Sequence, residues 1–213
     1  QLLPFMLDGK RYPLRAIHRW KMFDNLRRSL VAPMSLALLL LALAGHGLTP
    51  GAALALVLAA FASGPLISAV AGLSPSRDDI ALRHFYRQAG IDLLRALVGA
   101  AWQLAQLMQQ AMLSLDAIVR ALYRMAVSRR HLLQWTTAAA AQASASVDLT
   151  AVLRRHRLEP LAAAALGSGL FIAGTPHPAW TLGLCTLWGL SPLWTRWVSR
   201  PRTLQQGPRL AAA

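Results

Sequence analysis

The stretch LVAPMSLALLLLALAGHGL, residues 30–48, decides the fold of this 213-residue chain. It contains no Asp, Glu, Lys or Arg, and neither does the sequence after it as far as residue 76. A helix that crosses a bilayer needs roughly 20 apolar residues, because it rises about 1.5 Å per residue through an apolar layer about 30 Å thick. Residues 30–48 therefore predict a transmembrane helix.

Three further stretches are apolar enough for the same interpretation. Residues 51–73 form the second, with a Gly-Pro pair at 64–65. Residues 158–174 are rich in Ala and somewhat short, and residues 178–198 are rich in Leu and Trp, with Pro192 inside. We expect four crossings arranged as two helical hairpins. The predicted fold class is an all-α membrane protein with additional amphipathic interfacial helices.

The composition combines high hydropathy with a strongly basic charge. The chain has 22 Lys and Arg against 8 Asp and Glu, a formal net charge of +14, yet 55% of its residues are hydrophobic and 14% are charged. A soluble domain usually carries about 25% charged residues. The charge alone would suit a nucleic-acid-binding domain, but the mean hydropathy of +0.41 does not. We therefore expect the lipid bilayer as a partner, and no nucleic acid.

The positions of the basic residues predict the orientation. Seven Lys or Arg residues precede the first span, and others follow the second and fourth, whereas the turns at residues 46–50 and 175–178 have none. Because basic loops stay on the cytoplasmic side, we expect both turns outside and both chain ends in the cytoplasm. The predicted segments are a cytoplasmic interfacial segment at 1–29, the first hairpin at 30–73, a cytoplasmic amphipathic helical region at 74–157, the second hairpin at 158–198 and a cytoplasmic tail at 199–213.

Residues 91–127 segregate on a helical wheel. The polar side chains fall within about 160° of arc and leucines fill the opposite side. A fifth crossing would bury Arg95 or Asp116, at about 2.5–3.5 kcal/mol for each charge. We therefore expect one or two helices along the membrane interface, of about 35 residues and 50 Å in all, with Gly90 or Gly99 as the point of division. The polar face consists of Asp92, Arg95, Gln103, Gln106, Gln109, Gln110, Ser114, Asp116, Arg120 and Arg124.

Residues that could carry catalysis are scarce. Only Asp78 and Asp79 are adjacent among the eight acidic residues, and helix capping accounts for them. No His pairs with another His or with Cys185 at metal-ligand spacing. No nucleophile-elbow, Walker or dinucleotide motif occurs. We predict no catalytic, cofactor-binding or metal residue, and we interpret Trp180, Trp188, Trp194 and Trp197 as a membrane-interface belt.

The most specific local stretch is RWKMFDNLRRSLVAP, residues 19–33. Trp20, Phe23 and Leu26 fall on one helical face, and the basic residues fall on the others. This pattern is typical of an interfacial helix that continues into a transmembrane helix. Two roles remain open: a membrane anchor, or a helix whose Arg27 and Arg28 face a phosphate-bearing substrate.

That stretch, the opening QLLP and the segment VSRRHLLQWTTAA at residues 127–139 resemble the cyclic β-1,2-glucan synthases, which are large proteins of the bacterial inner membrane. The resemblance implies a parent protein whose glycosyltransferase domain polymerises glucose from UDP-glucose with a divalent metal. The Q-x-x-R-W and acidic motifs of that domain do not occur here, so no cofactor is expected in this chain. We expect a membrane fragment between the upstream glycosyltransferase domain and downstream carbohydrate-active domains, both of which would be its partners.

The resemblance also assigns roles to residues of this chain. It implies that an interfacial helix close to the catalytic domain borders the acceptor or product path. The residues concerned are Trp20, Asp24, Asn25, Arg27 and Arg28. Arg129, Arg130 and Trp135 belong to the second family motif, in which Gln134 stands where we expect an acidic residue.

Two alternatives of other classes stay open. The chain could be a fragment of a transporter or permease, which binds substrate at broken helices near the bilayer midplane. Pro65 and Pro192 interrupt predicted helices, but we expect no charged residue at mid-depth, which transport commonly needs. The chain could also be a membrane scaffold without catalysis, on which partner domains dock.

Overall fold

A computed structural model describes residues 14–71, 82–128, 150, 154 and 156–199. These residues contain α-helices and no strand, which confirms the all-α fold class for this part of the chain. A single π-helical turn, Arg124–Ser128, follows the fourth helix. The seven α-helices are α1 (Ala16–Leu43), α2 (Pro50–Ala71), α3 (Leu82–Ala105), α4 (Leu107–Tyr123), α5 (Leu158–Ile172), α6 (Pro178–Gly189) and α7 (Ser191–Val198).

Within the described residues, two helices are long and apolar enough to cross a membrane. They are α1, with 28 residues, and the 18-residue part Pro50–Ile67 of α2. α1 is one uninterrupted helix. It includes the segment 16–29, which carries the charged residues, and the apolar segment after it, and it continues through Pro33. α5 is apolar but has only 15 residues, fewer than the roughly 20 that a full crossing needs.

The stretch 178–198 is not one helix with Pro192 inside it, as the sequence suggested. It forms α6, with 12 residues, and α7, with 8, on either side of Leu190. Pro192 lies in the first turn of α7. Proline is accepted there because its missing N–H would have no helical partner in the first turn. A new helix therefore starts at Ser191.

α1 and α5 end in the same way. Gly45 and Gly174 both adopt a left-handed backbone conformation, with φ of 82° and 75°. The next residue in each case donates its N–H five residues back: His46 to the carbonyl of Leu41 and Thr175 to that of Leu170, both at 2.9 Å. This is the Schellman cap, which favours glycine because a Cβ atom is strained in this conformation.

The two capped turns pack against each other. The Thr175 hydroxyl donates a hydrogen bond of 2.6 Å to the carbonyl of Leu43. The Pro176 ring lies so close to Gly45 that a Cβ atom on the glycine would stand 2.8 Å from Pro176 Cγ. The ends of α1 and α5 and the starts of α2 and α6 therefore meet at one end of the bundle.

The described part of the amphipathic region forms two helices, which is one of the two arrangements expected, but they divide at Gln106, and the expected break at Gly90 or Gly99 is wrong. α3 runs through both glycines. The indole N–H of the fully buried Trp188 donates to the carbonyl of Leu104 at 3.1 Å. A continuous α-helix would reserve that carbonyl for the N–H of Met108. The Trp188 indole therefore competes with the N–H of Met108 for the Leu104 carbonyl, close to the residue at which α3 ends and α4 begins.

α3 packs along α2, and α4 packs along α1. Small residues of α3, Ala96 and Ala100, are buried, whereas its leucine face is largely exposed, with Leu94 at 61%. Gln106, from the predicted polar face, is buried instead. The leucines of α3 are therefore largely at the surface, and small residues form its contact with α2.

The packed turns predict a difference between two glycines. Gly45→Ala should lower the free energy of unfolding by about 1–2 kcal/mol from backbone strain alone, and further through the clash with Pro176. Gly47→Ala is the matched control, because Gly47 has a similar φ of 77° and a Cβ atom there would meet nothing within 4 Å. Thermal unfolding of the purified chain in detergent micelles measures both. Equal losses of stability would contradict the packing of the two turns.

Candidate functional site

The candidate residues predicted from the sequence lie along the first half of α1, and Asp24 is at their centre. Its Oδ1 accepts a hydrogen bond of 2.8 Å from Arg27 Nη2, and its Oδ2 accepts one of 2.8 Å from Arg28 Nε. The hydrogen bond from Arg27, together with Arg28, holds the pKa of the Asp24 carboxyl below its ordinary value. Asp24 precedes the apolar part of α1. Both arginines are thus held along the helix by one carboxylate.

Trp20 presents an exposed aromatic surface beside this cluster. The ring is 64% exposed, and its centroid lies 6.1 Å from that of Phe23, with the planes tilted by 36°. Asn25 is also exposed, and its backbone carbonyl accepts a hydrogen bond of 3.1 Å from the Ser29 hydroxyl. The predicted residues of α1 therefore lie along the same part of one helix, and Trp20 provides an exposed aromatic ring there.

The second group of predicted residues comes from the second family motif. Arg129, Arg130 and Trp135 lie outside the described residues, as does Gln134. Within the described ranges, no group of three or more His, Cys, Asp and Glu side chains could hold a metal ion.

A buried polar network joins α4, α5 and α7, and sequence reasoning did not find it. Glu159 Oε2 accepts a hydrogen bond of 2.9 Å from the hydroxyl of Ser191, which is fully buried. Glu159 Oε1 lies 2.9 Å from Nδ1 of His156. On the neighbouring side, Gln106 Nε2 donates to Thr195 Oγ1 at 3.2 Å. Glu159 is only 7% exposed, so these bonds replace the water that a carboxylate would otherwise need.

His156 Nδ1 lies between two side chains of the network. It is 2.9 Å from Glu159 Oε1 and 3.2 Å from Nε2 of Gln109. Which of the two contacts Nδ1 makes as a donor and which as an acceptor is set by the tautomer of the ring. Gln106 Oε1 is buried without a partner among the described residues.

Each member of this network has an ordinary local explanation. Glu159 lies in the first turn of α5, where an acidic residue is stabilised by the helix dipole. His156 precedes it by three residues, which is a helical spacing. Gln106 belongs to the polar helical face that the sequence predicted to lie at the membrane interface. Apart from the pair His156 and Glu159, the network joins residues 32 to 89 positions apart in sequence, and local periodicity carries no signal at such separations.

The interpretation of the tryptophans as an interface belt is wrong for Trp188. It is fully buried and bonds to the α3–α4 junction. Trp180, Trp194 and Trp197 are exposed, as a belt requires.

The fold and this site define an all-helical segment with two membrane-length helices and a buried polar junction. No family model matches the chain. It is 32% identical over 202 residues to the cyclic beta-(1,2)-glucan synthase NdvB of Rhizobium meliloti (strain 1021). The alignment covers 94% of this chain and 7% of that protein. The chain is thus homologous to a segment of a cyclic β-1,2-glucan synthase, which confirms the resemblance seen in the two motifs.

The network predicts an asymmetry between two substitutions of Glu159. Glu159→Ala removes the acceptor for Ser191 and His156, so we expect a loss of about 1–3 kcal/mol of stability. Glu159→Gln keeps an acceptor oxygen and the side-chain shape, and should lose less. The control is Asp116→Ala, which breaks an exposed ion pair with Arg120, worth about 1 kcal/mol or less. Thermal unfolding in detergent at neutral pH compares them, and equal losses for Glu159→Ala and Asp116→Ala would contradict the network.

Trp188 provides a second test of the junction. Trp188→Phe keeps an aromatic ring but leaves the carbonyl of Leu104 without the indole, which should cost about 1 kcal/mol or more. Trp194→Phe is the control, because the indole of Trp194 bonds the carbonyl of Leu187 at an exposed position where water can replace it. Chemical unfolding of both variants gives the difference. Equal stability of the two variants would rule out a special role for the buried indole.

Proposed function

We propose that this chain is the membrane part of a bacterial cyclic β-1,2-glucan synthase and follows its glycosyltransferase domain. The homology over 202 residues carries this proposal, and the two membrane-length helices support it. The chain spans 7% of the length of its relative, so synthesis from UDP-glucose would belong to the rest of the protein. The chain would hold the upstream glycosyltransferase domain and the downstream carbohydrate-active domains at the inner membrane.

The proposed topology has four crossings, with α6 and α7 together forming the fourth. The contact between Thr175 and Leu43 supports it, because two hairpins whose turns meet enter the bundle from the same side. Arg28 on α1 and Arg196 on α7 lie far along their hairpins from these turns. Basic residues favour the cytoplasmic side, so both chain ends would be cytoplasmic and both turns would face outward.

The predicted segments follow from this topology. The charged start of α1 would lie at the cytoplasmic interface, and residues 74–157 would form the cytoplasmic amphipathic region. Trp20, Asp24, Asn25, Arg27 and Arg28 would border the acceptor or product path. Arg129, Arg130 and Trp135 would belong to the second family motif. Any metal and the UDP-glucose would be bound by the glycosyltransferase domain.

The buried Glu159 bears on the permease alternative, which calls for a polar residue inside the membrane. Each of its two carboxylate oxygens already has a partner within the protein, Ser191 for one and His156 for the other. It also lies at the start of α5 rather than at its middle. These contacts favour a structural role for Glu159 over substrate binding.

The proposal is tested in the full-length protein, by incorporation of labelled glucose from UDP-glucose into β-1,2-glucan by isolated membranes. We expect Trp20→Ala to reduce synthesis about tenfold, which corresponds to about 1.4 kcal/mol, because a sugar would lose its exposed aromatic contact. Arg27→Ala should reduce synthesis too, because it frees Asp24 from one of its two partners.

Matched controls on α1 make this test specific. Ile17→Ala removes an exposed apolar side chain, and Lys21→Ala removes an exposed cation. Both should leave synthesis unchanged at an unchanged protein level. If Trp20→Ala behaves like Ile17→Ala, α1 is an anchor only. If full-length protein makes no β-1,2-glucan, the proposed function itself is wrong.

A further inference from the structure

A cleft lies where α1, α2, α3 and α4 come together. It consists of two adjoining cavities of about 380 and 330 Å³, which share Phe61 and Gln103 in their lining. Small-molecule sites in proteins generally have volumes of about 300–1,000 Å³. Arg28, the last of the residues predicted on α1, lines the second cavity, so the cleft begins where the predicted site ends.

The four glutamines near the α3–α4 junction fall into two pairs. Gln106 and Gln109 bond to Thr195 and His156 inside the protein. Gln103 and Gln110 line the cleft instead, and neither side chain has a hydrogen-bond partner among the described residues. Both are half-buried. Half-buried amides without partners are costly in apolar surroundings, so this pair is placed to bond a ligand.

Ser114 extends this row. It lies one helical turn beyond Gln110, is half-buried and lines the same cavity, and its hydroxyl also lacks a partner among the described residues. Gln103, Gln110 and Ser114 therefore present amide and hydroxyl groups along one wall. Phe61 supplies an aromatic ring where the two cavities meet.

The charges of the cleft argue against an anionic ligand. Two arginines occur in the lining, and each already has a carboxylate partner: Arg28 lies 2.7 Å from Asp24, and Arg95 lies 2.9 Å from Asp92. A phosphate or an anionic lipid headgroup would have to compete with these carboxylates. A neutral ligand rich in hydroxyl groups would not, and an aromatic ring favours the apolar face of a sugar.

We infer that this cleft binds a neutral glucan chain, whose hydroxyl groups bond Gln103, Gln110 and Ser114 while a sugar ring lies against Phe61. This inference rests on the proposed function and deepens it. The sugar path then runs on the inner side of α1, past Arg28, between the first hairpin and α3–α4. Trp20 would lie near the entrance of this sugar path.

The experiment uses the full-length protein in membrane vesicles, with the photo-crosslinking residue p-benzoylphenylalanine placed at Gln110. The probe is a labelled linear β-1,2-gluco-oligosaccharide, and a parallel sample makes glucan from labelled UDP-glucose. We expect light-dependent capture of sugar at position 110. The matched control has the crosslinker at Asp116, which is exposed and lies about 200° around the same helix from Ser114; it should capture none.

A second variant measures a single hydrogen bond. With the crosslinker at position 110, Gln103→Leu should reduce capture about threefold to tenfold, the loss expected for one neutral hydrogen bond. Asp116→Asn, which lies away from the cleft, should leave capture unchanged.

The outcomes separate this inference from the proposed function. Capture of sugar at position 110 and not at 116 supports the cleft, whether or not the sample makes glucan. Glucan synthesis without any capture at position 110 overturns the inference and leaves the proposed function standing. Capture of phospholipid in place of sugar overturns the inference in favour of a lipid site. Absence of capture at position 110, together with absence of synthesis by the full-length protein without the crosslinker, overturns both proposals.

Discussion

The hydrogen bond between the Trp188 indole and the Leu104 carbonyl connects the two halves of this molecule. It spans 84 positions of sequence and fixes the second hairpin to the point where α3 gives way to α4. α4 starts anew there and lies along α1, whereas α3 lies along α2. Gln106 of the buried network and Gln103 of the open cleft both lie within three residues of that point.

Four glutamines near this junction fall on two sides of the helices. Gln103 and Gln110 are seven residues apart, about 20° around a helix at 100° per residue, so they share a face, and both line the cleft. Gln106 and Gln109 lie to one side of that face and bond to Thr195 and His156. Buried amides that bond other helices specify how those helices pack, whereas partly open amides remain available for a ligand. Helical periodicity thus separates the amides that pack the bundle from those that line the cleft.

The sequence predicted what local chemistry controls. The absence of charge over residues 31–76 indicates membrane-length helices, and the glycine–proline turns mark the ends of both hairpins. The i+3 and i+4 spacing of Arg27 and Arg28 from Asp24 likewise reflects one helical face. The break at Gln106 and the burial of Trp188 were not predictable, because each depends on a partner far away in sequence. A wheel drawn through residues 91–127 assumes one axis and cannot show where that axis bends.

The two Schellman turns have a mechanical consequence. Gly45, Pro176 and the bond from Thr175 to Leu43 fix the hairpins to each other at one end. If one hairpin rocks against the other, this contact is the fulcrum, and displacement grows with distance from it. α1 extends about 42 Å from that point, at 1.5 Å per residue over its 28 residues. The lever arm is therefore longest beside Trp20, and a small tilt at the turns opens the far end most.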